Sequence, residues 1–431
     1  MKKILLGIIW VVGVVIPIHA QTVYVCKGFN YSKYQIASIG DITFDATKMT
    51  ISIAGEEQDI SEIDSITFEE PQFERVRIVY NGSTASVTIP ASFTGVTCTS
   101  GTSSHVVINS TNTTQEYPYY LEGSSSNGSL TINGDYKLSV VLGGVSLTSG
   151  KGAAIDIQCG KRIDFILQEG TVNTLADYAG GDQKAALYTK GHAEFKGAGT
   201  LNVSGNVKHA ISAKEYIELK GSLGTINVLK AVSDGIHCGK GEKGSPEDDY
   251  FQMNGGIVTI SNCGSDCIDA DDYGNVKIKG GTLTLNVSQK DGSGIKCDSL
   301  FTMSGGTVSF AVSGDISEGI RTAYRATFSK GNINGSVTGN GSRGIRGKKC
   351  TKVTDTTKNG GFLDFKGTNV TLVVSGGTYT ADQSKCFGIK ADQTLTQAAG
   401  DISITVSNSA ATGIQAATDT WTGGTRNGVT K

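Results

Sequence analysis

The sequence predicts an all-β protein, a parallel β-helix wound from coils of about 25 residues, with a small N-terminal β cap or module. Three observations carry that expectation. Glycine is in excess, with 58 glycines against 5 prolines in 431 residues. A short phrase centred on Ile or Leu recurs along most of the chain, and alternating apolar segments opened by glycine fall between its copies. The glycines follow no G-x-y period and sit among Val, Ile, Leu and Thr. This excludes collagen and flexible low-complexity linkers and assigns them to turns between short strands.

From the N-terminus, residues 1–20 read as a signal peptide. Lys2 and Lys3 precede an apolar run from Ile4 to Ile18, which ends at His19-Ala20. The run is shorter than the roughly 20 residues a spanning helix needs and is broken by Gly7, Gly13 and Pro17. Cys26 follows Val23-Tyr24-Val25 and lacks the small residue that usually precedes a lipid-modified cysteine. The expectation is export to a secreted, periplasmic or cell-surface location after cleavage near Ala20, with no membrane span. Residues 21–75 differ in texture from the rest and predict a few antiparallel strands around a polar turn at Gly55-Glu56-Glu57. Residues 76–431 are assigned to the β-helix, its first coils falling in the irregular stretch up to residue 150. The nine cysteines show no zinc-type pairs. Most are read as small buried residues, with room for one or two disulfides in an exported protein.

The repeat becomes visible when the segments are aligned. KHAISA (208–213), SDGIHC (233–238), SDCIDA (265–270), GSGIKC (292–297), SEGIRT (317–322), SRGIRG (342–347), CFGIKA (386–391) and ATGIQA (411–416) share one frame, and residues 153–155 and 185–187 extend it upstream. The central Ile or Leu falls at 155, 187, 211, 236, 268, 295, 320, 345, 389 and 414, and five of the nine intervals are 24 or 25 residues. Between these landmarks run phrases such as GTLNVSG (199–205) and GGTLTLNVS (280–288), whose period of two marks half-buried strands. A unit of two or three such strands is one coil of a parallel β-helix. Coils about 4.8 Å apart turn equivalent positions into columns. Two residues after the landmark stand Ala213, Cys238, Ala270, Cys297, Thr322, Gly347, Ala391 and Ala416, all small, as an interior bend requires. Cys238 and Cys297 share that column but are two rungs apart, about 9.6 Å, too far for a disulfide.

The segment LGGVSLTSGKGAAIDIQCGKRIDFILQEGTVNTLAD (142–177), followed by AALYTKGHAEFKGAGTLNVSG and the GI-containing coils, resembles a secreted bacterial carbohydrate-binding family with a pectate-lyase-like right-handed parallel β-helix. The likeness covers roughly residues 120–420. It implies a right-handed solenoid, calcium sites and binding of plant-type polysaccharides, notably acidic galacturonans, without established catalysis.

Charge points the same way only locally. With 38 Lys+Arg against 40 Asp+Glu the net charge is -2, which excludes a nucleic-acid footprint, and a monomer is expected. Acidic residues concentrate in an insertion at 239–250 and in DADDYGN (269–275), bringing Asp248, Asp249, Asp269, Asp271 and Asp272 to one corner. Asp234 and Asp266 stack one rung apart, and Asp298 lies on the next coil. Stacked carboxylates repel unless they are protonated or share a cation, and calcium takes such hard oxygen ligands; a solvated acidic loop is the plain alternative. One residue after the landmark, the column reads Ser212, His237, Asp269, Lys296, Arg321, Arg346, Lys390 and Gln415, with Arg343 beside it. Four landmark rungs carry a cation, although the 44-residue interval before Lys390 leaves room for an extra coil. Either a polyanion, such as a linear uronan, follows Lys296, Arg321, Arg346, Lys390 and Arg343, or Asp298 and Glu318 compensate them. Two other functions stay open: a calcium-dependent polysaccharide lyase using Lys296, Arg321 or Arg346 as base, and a surface adhesin or structural β-helix protein. Tyr117, Tyr119 and Tyr120 are read as strand residues, and His105, His192, His209 and His237 as surface or turn residues.

Overall fold

A computed structural model describes residues 22–27, 30–39, 42–45, 49–60, 63–69, 74–239, 250–270, 274–349 and 360–428. The chain divides at Glu74 into two compact units. In the first, strands Thr22–Lys27, Asn30–Gln35 and Ser65–Thr67 form one antiparallel sheet, and Thr43–Asp45, Thr50–Ile53 and Glu56–Asp59 form another. Val23, Val25, Tyr34, Ile51 and Ile53 make its core. The polar turn falls at Ala54 and Gly55, both with positive φ.

The second unit is built almost wholly of parallel strands, each hydrogen-bonded to the equivalent strand one coil later. Strands Ile155–Gln158, Arg162–Leu167 and Val172–Ala176 pair in register with Ala185–Thr189, His192–Lys196 and Thr200–Gly205, and the pattern continues to the last coil. Every landmark pairs directly with the next, from Ile155↔Leu187 through Ile389↔Ile414. The long interval therefore hides no additional coil, because Ile345 pairs with Ile389 itself. Both long insertions leave the chain three residues after a landmark or just beyond, near Gly239 and Lys348. Their central residues, and Asp248, Asp249, Asp271 and Asp272 with them, lie outside the described residues, as does the N-terminal segment read as a signal peptide. Among the described residues no helix is long and apolar enough to cross a membrane.

At the start of this unit Val76–Asn81 already joins the parallel ladder, pairing with Tyr119–Ser124, and antiparallel pairs are added beside it: Val76–Asn81 with Thr84–Thr88, and Val96–Cys98 with His105–Ser110. An antiparallel turn-back at the first coil covers backbone groups that an open parallel edge would expose.

Inside the coils the landmarks line a continuous apolar core, and the column of small residues lies beside them, with Ala213, Ala270, Cys297 and Thr322 fully buried. Aromatic rings stack along the axis, Phe328 on Phe365 at 4.5 Å and against Phe301 at 5.3 Å. The glycine excess has its mechanical reason at Gly256, Gly281, Gly306 and Gly331, which recur every 25 residues with φ of 85°, 83°, 76° and 103°. A Cβ on Gly281 would lie 2.6 Å from the Gly256 carbonyl oxygen, and one on Gly331 2.5 Å from that of Gly306, so no other residue fits this corner. The eight described cysteines are all free and seven are buried. Tyr117, Tyr119 and Tyr120 are buried strand residues.

Phe328→Ala removes the middle ring of the internal stack. It is expected to lower stability by about 3–5 kcal/mol in chemical denaturation; a loss below about 1 kcal/mol would show that the coils collapse around the void.

Candidate functional site

The candidate face grows from two columns that flank the landmark. Residues two before it (His209, Asp234, Asp266, Ser293, Glu318, Arg343) precede or open a short strand, and residues one after it (Ser212, His237, Asp269, Lys296, Arg321, Arg346, Lys390) project from that strand. At Asp234 and Asp266 the strand begins only at the landmark, so the two-residue alternation does not reach them. They turn toward the outward column instead.

At the upstream end the columns interlock as a buried cluster. His209 Nδ1 lies 3.1 Å from Asp234 Oδ2, and His237 Nδ1 lies 3.5 Å from the same oxygen and 3.6 Å from Asp269 Oδ2. The two imidazoles stack at 4.1 Å with planes 7° apart. The Asp266 amide donates to Asp234 Oδ1 at 3.1 Å, and the Ser293 amide donates to Asp266 Oδ1 at 2.7 Å. Lys296 Nζ closes the cluster, 3.0 Å from Asp269 Oδ1 and 3.8 Å from Asp266 Oδ2. Asp234, Asp266 and Asp269 are each only 5% exposed, so their charges are felt at short range in a poor dielectric.

Titration follows from this packing. Burial pushes the Asp234 carboxyl up, but the imidazoles of His209 and His237 outweigh it and hold the group well below the usual carboxylate range. Burial also opposes charge on His237, yet contact with Asp234 and Asp269 lifts it to about 9, so it carries a proton at neutral pH. His209 goes the other way, lowered chiefly by burial. Asp266 is pushed up to about 7 by burial and then by repulsion from Asp269.

Ligand-atom geometry makes two groups able to hold a metal ion: Asp234, Asp266 and Asp269, and His209, Asp234 and His237, each with ligand atoms within 4.8 Å of one another. The three-carboxylate group offers only oxygen, as a hard cation prefers. The Lys296 ammonium already lies against two of its members, so a metal ion there shares or displaces that cation. Asp298 follows Cys297 on the coil of Lys296 and belongs to neither group. The histidine reading is thus corrected: His209 and His237 are cluster members, not surface or turn residues.

Downstream the face turns basic. Lys296, Arg321, Arg346 and Lys390 pair in succession on four adjacent coils, with Arg343 one column over. Compensation is partial. Lys296 is matched by Asp269, Arg346 contacts Asp392 at 2.8 Å, and Arg343 lies 3.8 Å from Glu318, whose carboxyl burial pushes up. Arg321 makes no ion pair among the described residues. The Nε groups of Arg321, Arg343 and Arg346, and Nη1 of Arg346, are buried with no hydrogen-bond acceptor among the described residues. Burial, together with the Arg346 and Arg343 charges, lowers the Lys390 pKa. Asp392 was not foreseen; it stands three residues after its landmark, the same offset as Asp298.

Residues 102–427 match the family described as carbohydrate-binding domain-containing protein. No curated protein matches the chain. Among solved structures, the polysaccharide lyase-like protein from C. thermocellum, as a gadolinium derivative, aligns with a TM-score of 0.43 at 19% identity over 62% of this chain and 93% of that one.

Asp234→Ala removes the carboxylate that both buried imidazoles face and leaves the His237 charge with Asp269 alone. It is expected to destabilise the fold by about 3 kcal/mol, whereas Asp135→Ala at an exposed position stays within about 0.5 kcal/mol. Equal effects of the two in urea denaturation would show that the cluster is not a buried charge network.

Proposed function

The chain belongs to the carbohydrate-binding domain-containing family, and on that premise we propose that it is an exported protein that binds an acidic, galacturonan-like polysaccharide along the Lys296–Arg321–Arg346–Lys390 column, with Arg343 alongside. The observation that carries the reading is the run of cations on four adjacent coils, Lys296, Arg321, Arg346 and Lys390, in which Arg321 makes no ion pair among the described residues. Like charges held one rung apart repel unless anions lie against them, and a carboxylate meets a guanidinium fork with two parallel bonds. A linear uronan supplies one carboxylate per sugar, and the column presents cations at one per coil, about 4.8 Å apart. The coils are read as right-handed, the hand that nearly all parallel-strand crossovers take.

Calcium is the metal this reading assigns to the acidic end, held by Asp234, Asp266 and Asp269. Bound there, it would supply positive charge where a polyanion lying along the face otherwise meets carboxylates. The oxygen-only donor set supports calcium over softer ions.

Arg321→Ala combined with Arg346→Ala is expected to weaken binding of polygalacturonate at least tenfold and to flatten its salt dependence, with no ultraviolet-absorbing unsaturated product from the wild type. Unchanged affinity in the double variant would remove the column from the binding site. For the metal, Lys296→Met is expected to raise calcium affinity about tenfold in titration calorimetry by freeing Asp269 and Asp266; absence of calcium heat in both wild type and variant at millimolar calcium would exclude a calcium site there.

A further inference from the structure

The coil that leads into Ile268 departs from its neighbours at one corner. The residue just before each landmark is Ala154, Ala186, Ala210, Gly235, Cys267, Gly294, Gly319, Gly344, Gly388 or Gly413, so nine of ten coils carry Ala or Gly there and one carries a thiol. Space sets the rule: a Cβ on Gly294 would lie 2.5 Å from the Gly319 carbonyl oxygen, and one on Gly319 2.6 Å from that of Gly344. A second small column, Gly205 and Ala231, leads through paired backbone to Cys263. Both columns therefore change from Gly or Ala to Cys in the same coil.

The turn between the two cysteines is fixed by the ladder. Asn262 takes a φ of 56°, and its Nδ2 donates to the Leu229 carbonyl at 2.9 Å. The Gly264 amide donates to the Ala231 carbonyl and the Ser265 amide to that of Ser233. The Cys267 amide donates to the Ser293 carbonyl at 2.8 Å, and the Cys267 carbonyl accepts from the Ile236 amide at 2.9 Å. Held this way, both side chains join the apolar core, and their thiols meet in a hydrogen bond. Their other contacts are weak: Cys263 Sγ lies 3.7 Å from the Ser261 carbonyl oxygen and Cys267 Sγ 3.6 Å from that of Asn286. Thiols are poor donors, so little is lost when these protons leave.

We propose that Cys263 and Cys267 form a disulfide when the chain folds in an oxidising compartment, closing a ring around Gly264, Ser265 and Asp266. The assignment rests on the exported reading above, since a reducing compartment keeps such thiols free. The oxidant is a reactive disulfide, borne by a thiol oxidoreductase or by a small molecule such as oxidised glutathione. The thiolate of Cys263, at 6% exposure against 1% for Cys267, attacks it, forming a mixed disulfide and releasing one oxidant thiol. The Cys267 thiolate then attacks Cys263 Sγ, forming the internal S–S bond and releasing the second. The two cysteine protons end on the two oxidant thiols, and the electron pair passes from the cysteine sulfurs to the oxidant. In the folded, reduced chain, contact with Cys263 and then burial hold the Cys267 proton well above the usual thiol range, so the exchange belongs to folding, before the coil closes. The ring braces the acidic cluster, because the Asp266 amide donates to Asp234 Oδ1 and the Asp266 carbonyl accepts from the Gly235 amide.

The test refolds the reduced full chain in oxidising and in reducing glutathione buffers, followed by alkylation in denaturant and peptide mapping without reductant. The expected result is a Cys263–Cys267 cross-link in the oxidising buffer, with Cys159, Cys297 and Cys386 alkylated. The cross-linked chain is expected to have an unfolding equilibrium constant about tenfold smaller than the reduced one in urea. Cys263→Ala with Cys267→Ala, which brings this coil back to the small residues of its neighbours, abolishes that difference. Alkylation of both Cys263 and Cys267 after refolding in the oxidising buffer, or a cross-link from either to another cysteine, overturns the pair. Because the buffer supplies the oxidant, a cross-link formed there upholds the pair even if the chain stays in the cytoplasm of an expressing host, a result that overturns the exported reading alone.

Discussion

The parallel ladder between successive coils is the constraint on which everything else depends. Because each landmark hydrogen-bonds in register with the next, a residue's offset from its landmark decides its place on the molecule, and equal offsets stack about 4.8 Å apart. Interior offsets must then be filled by side chains that tolerate stacking on their own kind: Ile on Ile, small on small, Phe328 on Phe365. Insertions are free to vary in length because the ladder closes beneath them, as it does from Ile345 to Ile389.

On the outside the same ladder is unforgiving of charge. Side chains of like sign at one offset are held close whatever their neighbours prefer, and this chain answers in two ways. At Asp234, Asp266 and Asp269 it brings cations into the carboxylates, from His237 and Lys296. At Arg321, Arg343 and Arg346 it leaves guanidinium donors without acceptors among the described residues. The first arrangement matches charge within the cluster; the second stacks cations on adjacent coils with only partial compensation, from Glu318 and Asp392. One scaffold therefore supports an internally matched segment and a partly matched one a few coils apart.

Much of this was legible in the sequence because periodicity is a property of sequence. The landmarks, the small column ending at Ala391 and Ala416, and the cation column through Lys390 all follow from one alignment of repeats. The stacking of Asp234 on Asp266 followed too. What escaped was contact between different offsets. His209 and His237 stand at two different offsets and meet only because the chain bends ahead of Ile236, where alternation stops. Tyr216 and Tyr250 stack at 4.7 Å across a long insertion, so no fixed spacing announced them. His192 and Tyr250 stack on Tyr216, and the Lys277 ammonium lies near the Tyr250 ring, so these faces are covered, unlike an open platform for a sugar. Antiparallel pairing at residues 76–98 was likewise hidden, since a covered edge needs no repeat.

The central claim is that sugar carboxylates meet the basic column directly. Carbodiimide activation of a long oligogalacturonate, followed by peptide mapping, tests this by joining uronate carboxylates to whichever lysine amines they touch. Adducts concentrated on Lys390 and Lys296, and suppressed by high salt, are the result expected. Adducts spread evenly over exposed lysines such as Lys151 and Lys330, with none on the column, would contradict the account.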